Sequence, residues 1–350
     1  LAALIGSQTA LSHRNFVING AMQIKQRATS SSGISGSGYY VHDRHRISVG
    51  NTAGRFTMSD SGITPDDFGN RLKLECTTAD TSIAANEDFS LQHRFEGQNL
   101  QQLKKGTSGA EPITVSFYMK TNKAFTFMCE LDDTDNNRFN GQQFTTSTDW
   151  TRHILTFVGD TTGTLDNDNA RSLMLSFWFH AGSNFTSGTY TANTWQSRAS
   201  TDVNRVVGIG SFFDSTDNQI NLTGLQMEIG ETATPFEHRT VGDELQRCQR
   251  YFQLVGNNSY FAGNAVGTAS LAFGVPLSTP MRAEPSVPDS GYAFHREGNT
   301  NSGTNAVTAV SYTLGSASLQ LRANFSSGLT DEVGYAINAT TANLQLLAEL

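Results

Sequence analysis

The chain has 350 residues, of which 16% are charged, with 32 glycines and a formal net charge of -8. That length allows two or three domains at roughly 100–200 residues each, and the shortage of charged helix formers excludes a long-helix protein in favour of short strands joined by polar, Gly-rich turns. The acidic balance, without any Lys/Arg cluster, excludes a phosphate-tracking nucleic-acid surface, and no apolar run is long enough to cross a bilayer as a helix.

Leu1 in place of an initiator Met points to a processed chain or to part of a longer one. Residues 1–14 read as an N-terminal arm or attachment segment. Asn15 to Gly20 reads as a strand ending in an Asn-Gly turn, and Ser30 to Gly38 as a flexible Ser/Gly loop. Tyr39 to Val49 reads as a strand. Within it His42, Asp43 and His45 invite a metal reading, but no further ligands are spaced to complete a shell, so a buried Asp43-Arg44 pair is expected instead.

Clean alternation follows over Arg71–Cys76, Ile113–Met119 and Phe125–Leu131. The oxygen-rich run that begins with Asp132, Asp133 and Asp135 makes a weak structural-calcium candidate, although it lacks the Gly and distal Glu of an EF-hand loop. His153–Val158 is a strand, and so is Ser172–His180. In the latter, Leu173, Leu175, Phe177 and Phe179 share one face, while Met174, Trp178 and His180 share the other. A sandwich buries one face of each sheet, so Trp178 is either covered by a crossing loop or a neighbouring subunit, or open as a stacking platform for a sugar ring. With His180, Tyr118, Tyr190 and Trp195 it forms the candidate carbohydrate-binding set.

Val203–Phe213 and Asn218–Gly230 complete this domain. The apolar parity slips between Leu222 and Leu225, which predicts a bulge at Thr223-Gly224. Thr240 sits three residues before Asp243, a capping-box spacing. It opens the one convincing amphipathic helix, whose seam Val241, Leu245, Cys248 and Phe252 suits packing against copies of itself. Beyond it, five further strand patterns make a second antiparallel β-domain. The expected fold is therefore all-β. A jelly-roll β-sandwich over 15–239 leads through a connector helix over 240–254 into a smaller β-sandwich over 255–350.

Cys76, Cys129 and Cys248 each lie on an apolar face and read as buried free thiols, as in a protein made in a reducing cytoplasm. No nucleotide-binding Gly-rich loop, no nucleophile elbow and no zinc-protease motif is present. The acid pairs Asp132/Asp133 and Asp214/Asp217 fall near turn tips, where hydration keeps them ordinary acids. No cofactor and no enzymatic activity are expected.

Several segments together resemble a family of bacteriophage tail-fibre and virion-surface proteins with carbohydrate-binding jelly rolls. They are Asn15–Gly20, Tyr39–Arg44, Leu91–Gly97, Ser116–Lys120, Gly159–Thr164, Gly182–Phe185 and the run from Leu225 to Tyr251, in this order. The chain departs from the family at His45, where Trp often follows Asp-Arg. The resemblance implies a virion structural protein made in the host cytoplasm. Such a protein is often a homotrimer, contacts other virion proteins and displays β-domains toward host-surface polysaccharide. An architectural role in head, neck or tail decoration is the alternative.

Overall fold

The computed structural model describes residues 13–60, 62, 64–65, 67–198, 202–255, 260–268, 270–287, 293–296, 299–304, 307–311, 315–324, 334–338 and 344–350. The arm expected over 1–14 therefore lies almost wholly outside the described residues. The chain divides into two compact units, 1–244 with Leu350, and 245–349.

In the first unit the strands are β1 (Ser30–Ile34), β2 (Gly38–Tyr39), β3 (Arg46–Gly50), β4 (Arg55–Ser59), β5 (Leu72–Thr78), β6 (Asp88–Glu96), β7 (Ile113–Thr121), β8 (Thr126–Asp133), β9 (Arg138–Thr145), β10 (Thr151–Phe157), β11 (Arg171–Ala181), β12 (Gln196–Ser197) and β13 (Gln219–Ile229). They form a six-stranded sheet ordered β1-β4-β5-β13-β7-β10 and a seven-stranded sheet ordered β12-β9-β8-β11-β6-β3-β2, with every pair antiparallel. Eight strands run β5-β13-β7-β10 in one sheet and β6-β11-β8-β9 in the other. Successive strands of these eight thus change layer at every step but the β8–β9 hairpin, which is the jelly-roll pattern of two Greek keys.

Alternation builds the core. Val115, Phe117 and Met119 of β7 face Phe127, Cys129 and Leu131 of β8 and Leu175, Phe177 and Phe179 of β11, all of them buried. The phenylalanines meet at offset or edge-on angles, such as Phe117–Phe177 at 4.7 Å and Phe127–Phe179 at 4.9 Å, the arrangement that ring quadrupoles favour. The expected bulge is present. The β13–β7 register shifts between Thr223 and Gln226, and Gly224 adopts φ +62 with Phe68 and Tyr118 packed where a Cβ would stand.

Some local readings change. Ser30–Ile34 is a bulged edge strand, because pairing with β4 satisfies a backbone that its composition alone would leave loose. The stretch read as one strand over Tyr39–Val49 is broken at Arg44, which takes φ +71. There Asp43 Oδ1 accepts from Arg27 Nη1 at 3.1 Å, and Arg44 Nη2 donates to Arg94 O at 2.6 Å. Val203–Phe213, which helps complete the domain, consists of turns and short 3-10 segments, Asp202–Asn204 and Phe212–Asp214.

Asn15–Ile24 is not a strand of either sheet, yet it is tightly held. Asn19 side-chain oxygen accepts from Ile24 N, and its amide donates to Ile24 O and Asp43 O. His93 Nε2 accepts from Ile18 N–H at 3.3 Å, and His45 Nε2 lies 3.0 Å from Asn19 O. His45 and His93 are buried with ring centroids 5.4 Å apart.

A nine-residue helix, α2 (Val241–Gln249), follows a single-turn α1 (Ser183–Thr186). Thr240 Oγ1 caps α2 by accepting from Asp243 N–H. The helix is shorter than its expected span of 240–254, and the unit boundary falls inside it. Tyr251 N–H closes on Cys248 O, and Phe252 opens β14 (Phe252–Val255). The second unit continues with β15 (Tyr260–Ala265), β16 (Ser270–Pro276), β17 (Ala293–Arg296), β18 (Asn299–Thr304), β19 (Val307–Ser311), β20 (Ser318–Asn324), β21 (Gly334–Asn338) and β22 (Leu344–Leu347). It holds a five-stranded sheet ordered β19-β20-β16-β15-β21 and the pairs β14-β22 and β17-β18.

Phe252 is therefore not the fourth member of a helical seam. It is fully buried and pairs with Leu347 across β14-β22. Cys248 is also buried, Leu245 is half-buried, and Val241 is 58% exposed. A continuous stripe along one helix face, ready for three-fold packing, does not result. The helix ends before the pattern does.

Candidate functional site

In an antiparallel pair, residues directly opposite share a face. The outer face of the seven-stranded sheet therefore carries Met128, Glu130 and Asp132 of β8, Met174, Ser176 and Trp178 of β11, Ser90, Gln92 and Arg94 of β6, Arg46 and Ser48 of β3, and Tyr39 of β2. This face has two halves.

Over β8, β9 and β11 it is covered by the connection between β11 and β13. Trp178, 5% exposed, packs with Met128 and Val206, and with Phe185, Tyr190 and Ile209 from the covering segment. Its indole N–H donates to Glu130 Oε2 at 2.8 Å. Arg205 clamps Glu130 with two bonds, Nε to Oε1 at 2.7 Å and Nη2 to Oε2 at 2.6 Å, reaches Asp132 Oδ2 at 3.1 Å, and lies 4.9 Å from the Trp178 ring centre. Arg198 Nη1 donates to both Asp132 oxygens at 3.1 Å. Burial and then Glu130 push the Asp132 carboxyl up, against the pull of Arg205 and Arg198. Burial disfavours the Arg205 charge, but Glu130 and Asp132 overcome it and hold the guanidinium above its ordinary value. Such a bidentate, charge-assisted clamp fixes geometry as well as charge.

The five candidate side chains are thus dispersed. Trp178 is not an open platform, because the connection between β11 and β13 lies over it. His180 is fully buried, with Nε2 2.9 Å from Glu87 Oε2 and Nδ1 2.8 Å from Ser211 Oγ. Tyr190 is half-buried, and its oxygen accepts from Gln143 N–H at 3.0 Å. Trp195 donates to Val158 O at 2.8 Å and lies flanked by the Lys105 ammonium, 5.2 Å from its ring. Tyr118 stands on the other sheet, against Phe68, so it shares no surface with Trp178.

The calcium candidate is overturned in an instructive way. Asp132 faces Arg198 and Arg205, while Asp133, next along the strand, points to the opposite face, and Asp135 Oδ2 accepts from Asp166 N–H. Among the described residues no group of three metal-ligating side chains converges. A cation does sit here, however, and it belongs to the chain. Buried Lys105 Nζ contacts Asp133 Oδ2, Asp160 Oδ2 at 3.0 Å, Thr162 O at 3.1 Å and Gly163 O at 2.9 Å. An ammonium fills an oxygen cage of the type that hard cations prefer. Lys105→Ala is expected to cost about 3–5 kcal/mol, because it removes the cation from buried Asp133 and leaves buried Asp160 to Arg138 alone. Millimolar calcium should then raise its melting temperature. Melts with calcium and with chelator decide this: equal values for Lys105→Ala in both would show that the cage cannot take a metal.

The other half of the face, over β2, β3 and β6, was not anticipated. Ser90 and Gln92 form a buried floor, with Tyr39, Arg46, Ser48 and Arg94 half-exposed around it. Tyr39, Arg46 and Gln92 lie in one row across three strands. Gln92 Oε1 accepts from Arg46 Nη1 at 3.3 Å and from Arg94 Nη2 at 3.0 Å. The sequence signal was the polar parity of residues 90, 92 and 94 opposite apolar Leu91 and Phe95. It was visible, but it could not be joined to residue 46 without the strand order.

The chain matches no protein-family model and no curated protein sequence. Solved structures similar in fold include a CBM4 structure, at 10% identity and TM-score 0.31, covering 61% of this chain and 98% of its own. A family 11 carbohydrate-binding module of a cellulosomal cellulase of Clostridium thermocellum aligns at 12% identity and TM-score 0.29, covering 59% and 99%. TmCBM61 in complex with beta-1,4-galactotriose aligns at 9% identity and TM-score 0.28, covering 62% and 99%. The jelly-roll assignment itself rests on this chain's own strand order.

Proposed function

We propose that this is a non-enzymatic virion protein of bacteriophage tail-fibre type, whose jelly-roll unit binds host-surface polysaccharide on the outer face of the seven-stranded sheet. The observation that carries the reading is the row Tyr39–Arg46–Gln92 with Arg94 beside it. Planar polar groups and one aromatic ring stand over a buried floor. Sugar hydroxyls need such fixed donors and acceptors, and their C–H faces need a ring.

The virion assignment draws on the ordered motifs described above. Two of them, Tyr39–Arg44 and Leu91–Gly97, supply Tyr39, Gln92 and Arg94 to this face. Assembly as a homotrimer on the particle would convert a weak single-site affinity into useful avidity. Contact alone suffices for this role. The closest pair of acids on the face, Glu130 and Asp132, is buried and neutralised by arginines, so neither is placed as a free acid or base.

The test is a glycan array with the full chain, followed by competition of soluble protein against host adsorption. Tyr39→Ala is expected to weaken binding by roughly tenfold, about 1.4 kcal/mol. Binding to no glycan, with adsorption unaffected, would remove the reading. A second reading is an architectural protein contacting other virion proteins. It is favoured by the cover over Trp178, which leaves no deep aromatic cleft on that half of the face; localisation of labelled protein at a collar or capsid site would select it.

A further inference from the structure

We propose that the saccharide bound on this face is acidic, and that Arg94 and Arg46 hold its carboxylate with Tyr39 beside them; this rests on the glycan-binding reading above.

Several poorly exposed cations elsewhere in this unit are matched with acids, while Arg55 and Arg152 reach only main-chain and hydroxyl oxygens. Arg27 meets Asp43, Arg138 meets Asp160, Arg205 meets Glu130, and Arg239 meets Glu237 and Glu244. Arg46 and Arg94 are different. Among the described residues neither has an Asp or Glu side chain at ion-pair distance, yet both guanidinium groups converge on one neutral acceptor, Gln92 Oε1. Burial lowers the Arg94 pKa to about 10, and Arg46, Arg171 and Arg44 add to the lowering. In a chain of formal charge -8, crowding like charges without a counter-charge is costly unless an anion completes the set.

The geometry also shows what shape of anion fits. The main-chain oxygen of Leu350, which clusters with this unit, accepts from Arg94 Nη1 at 2.6 Å and from Tyr39 Oη at 3.3 Å. Two donors from β6 and β2, with β3 between them, thus already meet at a single oxygen. A planar carboxylate offers a second oxygen toward the guanidinium fork, which matches it in a bidentate way that an ammonium or a hydroxyl cannot. The Tyr39 ring, with the Arg27 guanidinium 5.4 Å from its centre, and the Ser90 and Gln92 floor lie beside that place, where the same sugar would meet them. A uronate or sialate oligomer has this combination of groups, whereas a neutral glucan lacks the carboxylate.

The experiment titrates the full chain with oligogalacturonate, oligosialate and, as the neutral arm, cello-oligosaccharide, each at low and high salt. The expected result is binding of an acidic oligomer that weakens with salt. Arg94→Gln should weaken it at least tenfold, while Arg94→Lys should recover only part of the loss. Arg46→Gln provides the same reading should Arg94→Gln fold poorly. Binding of the neutral oligomer alone would overturn this proposal and leave the glycan-binding reading standing. Acidic binding that is indifferent to both arginine variants would also overturn it. Binding of neither class would remove both.

Discussion

Glu130→Ala is expected to destabilise the first unit by about 3–5 kcal/mol, the usual effect of removing one partner of a buried ion pair. The loss has little to do with a missing attraction in water. Arg205 is 5% exposed, and without Glu130 its guanidinium keeps Asp132, which must also serve Arg198, and the more exposed Asp202 at 3.9 Å. The Trp178 indole N–H loses its acceptor in the same step. Denaturation followed by tryptophan fluorescence measures this directly, because Trp150, Trp178 and Trp195 all lie in the first unit. The covering connection should also become sensitive to proteases. A double variant, Glu130→Met with Arg205→Met, should recover much of the loss, since it leaves no orphan charge on that pair. A change below about 1 kcal/mol in the single variant would mean that water reaches this network, contrary to its burial.

The second large effect is on pH. His45 is held down to about 3 by burial first, with His42 and Arg44 adding to the depression and the bond to Asn19 O opposing it. His93 lies well below its ordinary value for the same leading reason, with Arg44, His45 and Arg239 contributing. An unfolded histidine titrates near 6.5. The unfolded chain therefore takes up protons that the folded chain refuses as pH falls below that value. Stability is full above about pH 6.5 and declines toward the folded pKa. For His45 the decline between pH 7.5 and pH 5 is about 2 kcal/mol, and His93 acts in the same sense.

Geometry makes His93 the more consequential of the two. Its Nε2 accepts the Ile18 N–H, and a protonated ring would turn a donor toward that donor, loosening Asn15–Ile24. Urea midpoints at the two pH values test this against His45→Gln, which cannot titrate and should show a smaller drop. Asp88 and Asp132 are shifted upward and respond oppositely, so the comparison is made at matched pH. Equal drops in the two proteins would show that His45 is not the source.

Much of the architecture was legible in the residues. Alternation in Ile113–Met119, Phe125–Leu131 and Leu173–Phe179 named three central strands and their buried faces, and a parity slip located the Gly224 bulge. What escaped were elements whose order comes from neighbours. β1 and β9 are rich in Ser, Gly, Asn and Gln, and they are strands because β4 and β8 supply hydrogen bonds to them. Propensity in sheets is largely a property of such context.

The candidate site was less legible. Met174 and Trp178 were rightly set apart from the core face of their strand, but only the path of the β11–β13 connection reveals that Trp178 is covered; His180 was not, because a register shift after Trp178 sets it opposite core Phe89. Arg46 and Arg94 stand 48 positions apart, and no local pattern says that both will meet at Gln92. The helix seam misled because heptad-like spacing continued past Gln249, where the backbone had already turned into β14.

The seven-stranded sheet ends at both borders in strands of two residues, β2 and β12. A foreign backbone seeking to zip onto this layer finds a template too brief to propagate. Close approach of a second copy therefore need not seed a fibril through that layer.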